Sequence, residues 1–236
     1  MEALQLKVAL RILGHAGIPT CLVGELALNY YNVPRVLHDI EICVPENMVL
    51  KAASLLRGTG LFEPDEIEEF DLYNEYKRGC PRLRSSSWIS PSSALVILGD
   101  KIYGLNPISK NVLSRDKVPS NPSYSSQIMD LIPPAEINQL PIPRLPVLLV
   151  GLCRRFLESH DDVAMIAAEQ LVDGMDLDDG WCDRNLSGVS SAVLEMSSRL
   201  VAGKTSRLDD FSENTITCFI ANEDEVERVR RIPGYE

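Results

Sequence analysis

The segment 39–44, DIEICV, alternates without a break: Ile40, Ile42 and Val44 point to one side, and Asp39, Glu41 and Cys43 to the other. That period of two belongs to a strand, and its apolar face has to be covered by other elements. The flanking sequence supplies them. Leu6, Ala9, Leu10 and Leu13 recur at helical spacing before Gly14 and Gly17, and Val49, Ala52, Ala53 and Leu56 do the same before Gly58 and Gly60. Between the first helix and the strand lies PTCLVG, a short β-branched run bounded by Pro19 and Gly24. LALNYYNV follows as a two-turn helix that stops before Pro34. The order is helix, strand, helix, strand, helix, with further strands expected in 61–105, ALVILG among them. This is an α/β (α+β) pattern, a mixed sheet with flanking helices.

From 106 to 146 the chain is rich in Pro, Ser and Asn, and turns with extended segments are expected there. Beyond Pro146, VLLVGLCRRFLES and DVAMIAAEQLVDG read as two buried helices, and SAVLEMSSRLV as a third. The organisation expected is an α/β core at 1–120, a proline-rich connection at 121–146, a helical region at 147–220 and a charged tail at 221–236.

Charge narrows the partners. With 23 Lys+Arg against 34 Asp+Glu the net charge is −11, a field that repels duplex DNA and anionic membranes. No uninterrupted apolar stretch reaches membrane-spanning length. The six cysteines form no C-x-x-C pair and several lie in apolar runs, as reduced thiols do, which makes the cytoplasm the expected compartment. The glycine-rich dinucleotide and P-loop motifs, the G-x-S-x-G elbow and H-E-x-x-H are all missing from the sequence.

The chemistry concentrates on the polar face of the alternating strand. Asp39 and Glu41 project from one side, and two carboxylates held so close repel each other unless a cation sits between them. Hard divalent ions such as Mg²⁺ use one or two such carboxylates together with substrate phosphates. Trp88 offers a base-stacking face, and His38 is expected on the core side of the strand.

The arrangement Val23-Gly24, a short helix, thirteen residues between Glu25 and Asp39, then Asp39-Ile40-Glu41-Ile42 resembles the nucleotidyltransferase (polymerase-beta-like) superfamily. The resemblance covers about residues 1–105. It implies that Gly24 approaches a nucleoside triphosphate and that Asp39 and Glu41 hold Mg²⁺ while a nucleotidyl group passes to a hydroxyl or amine of a small acceptor. Asn29 and Tyr30, on the short helix, are expected to line the cleft. Arg82 and Arg84, on one face of a strand in RLRSSSW, stand ready for phosphate or for a transfer-RNA backbone, or else for the acidic run EPDEIEEFD. Asp71 and Asp100 are the candidates for a third acid.

Glu25 departs from the family pattern, which has a small residue there. The string GELALNYYNVPRVLHDIEICVP is also similar to small fungal proteins with a nucleotidyltransferase-like signature. One fungal family of this size is the arginine-containing cyclodipeptide synthases, which draw aminoacyl groups from aminoacyl-tRNA. In that alternative Asp39, Glu41 and Glu25 grip a substrate amine or guanidinium. A third reading keeps the fold as a non-catalytic binding protein with residual acids.

Overall fold

The computed structural model describes residues 2–66, 72–86, 93–114, 122–208 and 213–236. The chain divides into two compact units. The first comprises residues 1–27, 36–112 and 140–143, and the second 28–35, 113–139 and 144–236.

The first unit holds helices α1 (Glu2–His15), the start of α2 (Gly24–Tyr30), α3 (Val49–Gly58) and the single turn α4 (Ile108–Asn111). Its five strands are β1 (Cys21–Val23), β2 (Asp39–Val44), β3 (Phe62–Pro64), β4 (Arg82–Ser85) and β5 (Ala94–Gly99). They form one mixed sheet in the order β1-β2-β5-β4-β3. Only β2 and β5 run parallel; the other three pairs are antiparallel. The expected class, a mixed sheet with flanking helices followed by a helical part, is the one observed.

Every residue of β2 and β5 is buried. For β5, all apolar from Ala94 to Leu98, this follows from the sequence. For β2 it means that the polar face predicted by alternation is enclosed as well, so Asp39 and Glu41 need partners inside the protein. The apolar face of α3, with Ala52, Ala53 and Leu56, packs on β3, β5 and α1.

The second unit is helical: α5 (Ser126–Leu131), α6 (Pro134–Ile137), α7 (Leu145–Ser159), α8 (Asp162–Gly174), α9 (Asp179–Asn185), α10 (Ser191–Ala202) and α11 (Glu223–Val229). Asp161 caps α8 by accepting from the backbone N–H groups of Val163 and Ala164. The segment 106–146 is more ordered than its composition suggested, because the short helices α4, α5 and α6 form between its prolines. Helix α9, which sequence periodicity missed, is capped by Asp178 and buries Trp181 completely. No described helix is long and apolar enough to cross a membrane.

Candidate active site

The site is assembled in the first unit around β2. Gly24 joins β1 to α2 with φ at +61°, a conformation that a side chain rarely adopts. A Cβ added there would lie 2.5 Å from Cδ of Glu41, so glycine is required both by the backbone and by the carboxylate packed on it. The register places Glu41 directly opposite Val23 on the neighbouring strand, which brings the turn and the acid together.

Asp39 and Glu41 are 6% and 1% exposed. Two buried charges of the same sign demand compensation, and it comes from the protein itself. The Lys77 ammonium lies 2.8 Å from Asp39 Oδ2 and 2.9 Å from Glu41 Oε1, bridging the pair. Arg82 Nη1 lies 2.7 Å from Asp39 Oδ1. The Tyr76 hydroxyl donates to Glu41 Oε1 at 2.5 Å, and that of Tyr103 to Oε2 at 3.3 Å. All four carboxylate oxygens are therefore engaged. Burial alone pulls Lys77 toward its neutral form, but the charges of Glu41 and Asp39 and their hydrogen bonds outweigh it and hold the ammonium above the ordinary lysine value.

Tyr76 and Lys77 belong to one 3-10 turn, Glu75–Lys77, so a single local segment delivers both contacts to Glu41. Beside the cluster opens a cavity of about 340 Å³ bordered by Lys77, Arg82, Asp65, Cys80 and Val96. Burial and the charges of Glu41 and Glu46 push the Cys80 thiol up, away from a reactive thiolate.

Mg²⁺ fits the chemistry of two adjacent carboxylates but not their arrangement here. The space between them is taken by Lys77, and the residues facing Asp39 and Glu41 on β5 are Ala94 and Val96, which offer no ligand atom. Asp100 follows β5 at the end away from Asp39, where its Oδ1 accepts from the Glu46 backbone N–H. Asp71 lies outside the described residues, as does Trp88. Among the described residues no group of three or more His, Cys, Asp or Glu side chains is arranged to hold a metal.

The remaining sequence candidates have partners of their own. Glu25 Oε2 accepts from the His38 backbone N–H at 2.6 Å, and Oε1 pairs with His38 Nδ1 at 2.8 Å. The two residues close the excursion between α2 and β2. His38 is exposed there, not on the core side, because it precedes the first ladder residue of β2 and turns outward to meet Glu25. Arg82 also pairs through Nε with Asp65, and Arg84 with Glu63, so the arginines of β4 meet the acidic run that begins at Glu63. Asn29 and Tyr30 fall in the second unit. Asn29 bonds both backbone groups of Arg35, and the buried Tyr30 hydroxyl donates to the carbonyl of Pro233.

Sequence reasoning missed Lys77, Tyr76 and Tyr103. A signal existed in the basic run 76–84, since two buried acids call for a cation, but nothing in the sequence says which cation reaches them.

No family model matches the chain, and no curated protein matches it. Among solved structures, the solution structure of the antibiotic-resistance factor ANT(2'')-Ia matches with a TM-score of 0.39 and 12% identity, over 87% of this chain and 92% of that one.

Proposed function

We propose that this chain is a non-catalytic binding protein built on a nucleotidyltransferase-like core, in which Lys77 stands where the family resemblance expects a divalent cation. The observation that carries this reading is the bridging ammonium, 2.8 and 2.9 Å from the two acids, with no carboxylate oxygen left over. Lys77 and Arg82 pair with the two acids, Arg82 sharing its charge with Asp65, and with the tyrosine hydroxyls they give every oxygen of Asp39 and Glu41 a partner within the protein. An aminoacyl-transfer reading asks the same acids, with Glu25, to grip a substrate cation, yet Glu25 is engaged with His38.

The second reading, Mg²⁺-dependent transfer of a nucleotidyl group to a hydroxyl or amine acceptor, draws on the left-handed Gly24 packed against Glu41. It requires Lys77 and Arg82 to release the acids first.

One experiment separates the two. Mg²⁺ and each nucleoside triphosphate are titrated calorimetrically into the wild type and into Asp39→Ala, Glu41→Ala and Lys77→Gln proteins whose folding is checked by circular dichroism. The binding-protein reading expects no Mg²⁺-dependent nucleotide binding in the wild type. Binding that is present in the wild type and lost in both acid variants overturns it in favour of the transferase.

A further inference from the structure

Two cysteines, Cys21 and Cys43, stand directly opposite each other on the antiparallel strands β1 and β2. Residues opposed in this way send their side chains to the same face of the sheet, so both thiols lie on one side of it. Both are free and fully buried. The Cα atoms of opposed residues lie about 4.5 or 5.5 Å apart, inside the span of about 4.4–6.8 Å that a disulfide bridges. Their Cβ atoms, about 4.5–5.5 Å apart, are slightly wider than the roughly 3.5–4.5 Å of a relaxed disulfide. A bond there draws the strands together under slight strain, and strained disulfides are the more easily reduced ones.

In the reduced protein Cys21 Sγ donates weakly to the carbonyl of Leu22 and Cys43 Sγ to that of Gly99, each at 3.8 Å. Rotation about the two Cα–Cβ bonds gives up these contacts and turns the sulfurs toward each other. Burial pushes the Cys21 thiol up, so it stays protonated and unreactive while the strands are closed. Closure depends on β1, which is three residues long and lies at the edge of the sheet. Its outer side is tied to the segment 140–143, where the Pro141 carbonyl accepts from the Leu22 N–H at 2.8 Å. So short an edge strand opens locally far more readily than the central strands β2 and β5. Pro19 and Pro45, each two residues outward from a cysteine, both border a surface cavity of about 460 Å³, so this end of the strand pair is the one a small reagent reaches.

We propose that Cys21 and Cys43 form a reversible thiol–disulfide switch that, when oxidised, staples β1 to β2 beside the Gly24 turn. The oxidant is a small-molecule disulfide. Cys21 Sγ, ionised on the opened strand, attacks one sulfur of that disulfide, and the other sulfur leaves as a thiolate with the electron pair of the broken bond. Cys43 Sγ then attacks Cys21 Sγ and expels the second thiolate. Two cysteine thiols are thereby oxidised, the reagent is reduced to two thiols, and the two cysteine protons pass to the released thiolates. Val23 faces Glu41 two positions along the same ladder, so the staple holds the Gly24 turn against the Glu41 carboxylate.

The test treats the full chain with oxidised glutathione under native conditions and digests it with trypsin without reduction. Peptides 12–35 and 36–51 are expected to appear joined through Cys21 and Cys43, lighter than their sum by two hydrogens. Cys43→Ser removes the joined pair, whereas Cys153→Ser, in the second unit, retains it. In the oxidised wild type the backbone amides of Leu22 and Val23 are expected to exchange with deuterium at least tenfold more slowly, and dithiothreitol restores the original rate. Joined peptides that form only in urea, glutathione adducts without a Cys21–Cys43 bond, or amide exchange unchanged by oxidation overturn the proposal.

Discussion

Lys77 donates to Asp39 at 2.8 Å across 38 positions of sequence, and both side chains are about 8% exposed. Removing the cation from such a pair leaves charge buried without compensation. Lys77→Met is therefore expected to destabilise the protein by about 3–5 kcal/mol. Urea denaturation measures it, and adding Glu41→Gln to Lys77→Met should recover part of the loss. Equal stability of Lys77→Met and wild type would remove the bridging role.

The glycine at the β1–α2 junction gives a comparison of two substitutions at similar backbone angles. Gly17 has φ +68° with open space around its Cβ position, whereas Gly24 has φ +61° with Glu41 in the way. Gly17→Ala should cost about 1–2 kcal/mol from the backbone alone. Gly24→Ala should cost more and also displace Glu41, which shows as a changed ultraviolet signature of its partner Tyr76. Matching losses in the two variants would mean that Glu41 moves freely.

Asp173, 1% exposed, anchors the second unit by accepting two bonds from Arg207 at 2.7 and 2.8 Å. Its backbone carbonyl also takes the Thr217 hydroxyl. Arg207→Ala is expected to lower stability by about 3 kcal/mol, because a buried carboxylate is stranded. Arg207→Lys should restore only part of it, since the forked geometry is lost. The measurement is the thermal unfolding midpoint of the three proteins.

Burial pushes the thiols of Cys153 and Cys182 up to about 11 and that of Cys218 up to about 12. In the unfolded chain a thiol ionises near pH 8.5. Groups whose folded values are raised stabilise the fold fully below the unfolded value and lose that contribution as pH climbs to the folded one. Stability should thus decline from about pH 8.5 up to about 12, the highest of these thiol values, with the raised value of Lys77 contributing to the decline at its upper end. Denaturation midpoints at pH 8, 9.5 and 10.5 test the slope, and slow reaction of these thiols with a disulfide reagent at pH 8 tests its cause. A midpoint that holds flat to pH 10.5 would contradict both.

Local pattern alone determined much of this protein. The alternation of 39–44, the helical spacing of Leu6 to Leu13 and Val49 to Leu56, and the apolar run 94–99 are short-range signals, and each became the element it suggested. The glycine turn and the acid pair were legible for the same reason, since they sit on adjacent strands close in sequence. Helix α9 was not, because its seven residues are too short to show a period and depend on burying Trp181. Tertiary structure alone decided what the acids meet. Burial of β2 on both faces encloses the acid-bearing face completely, and the chain brings Lys77 and Arg82 from 38 and 43 residues away to meet it. Charge compensation acts through space, and a sequence records only that the charges exist.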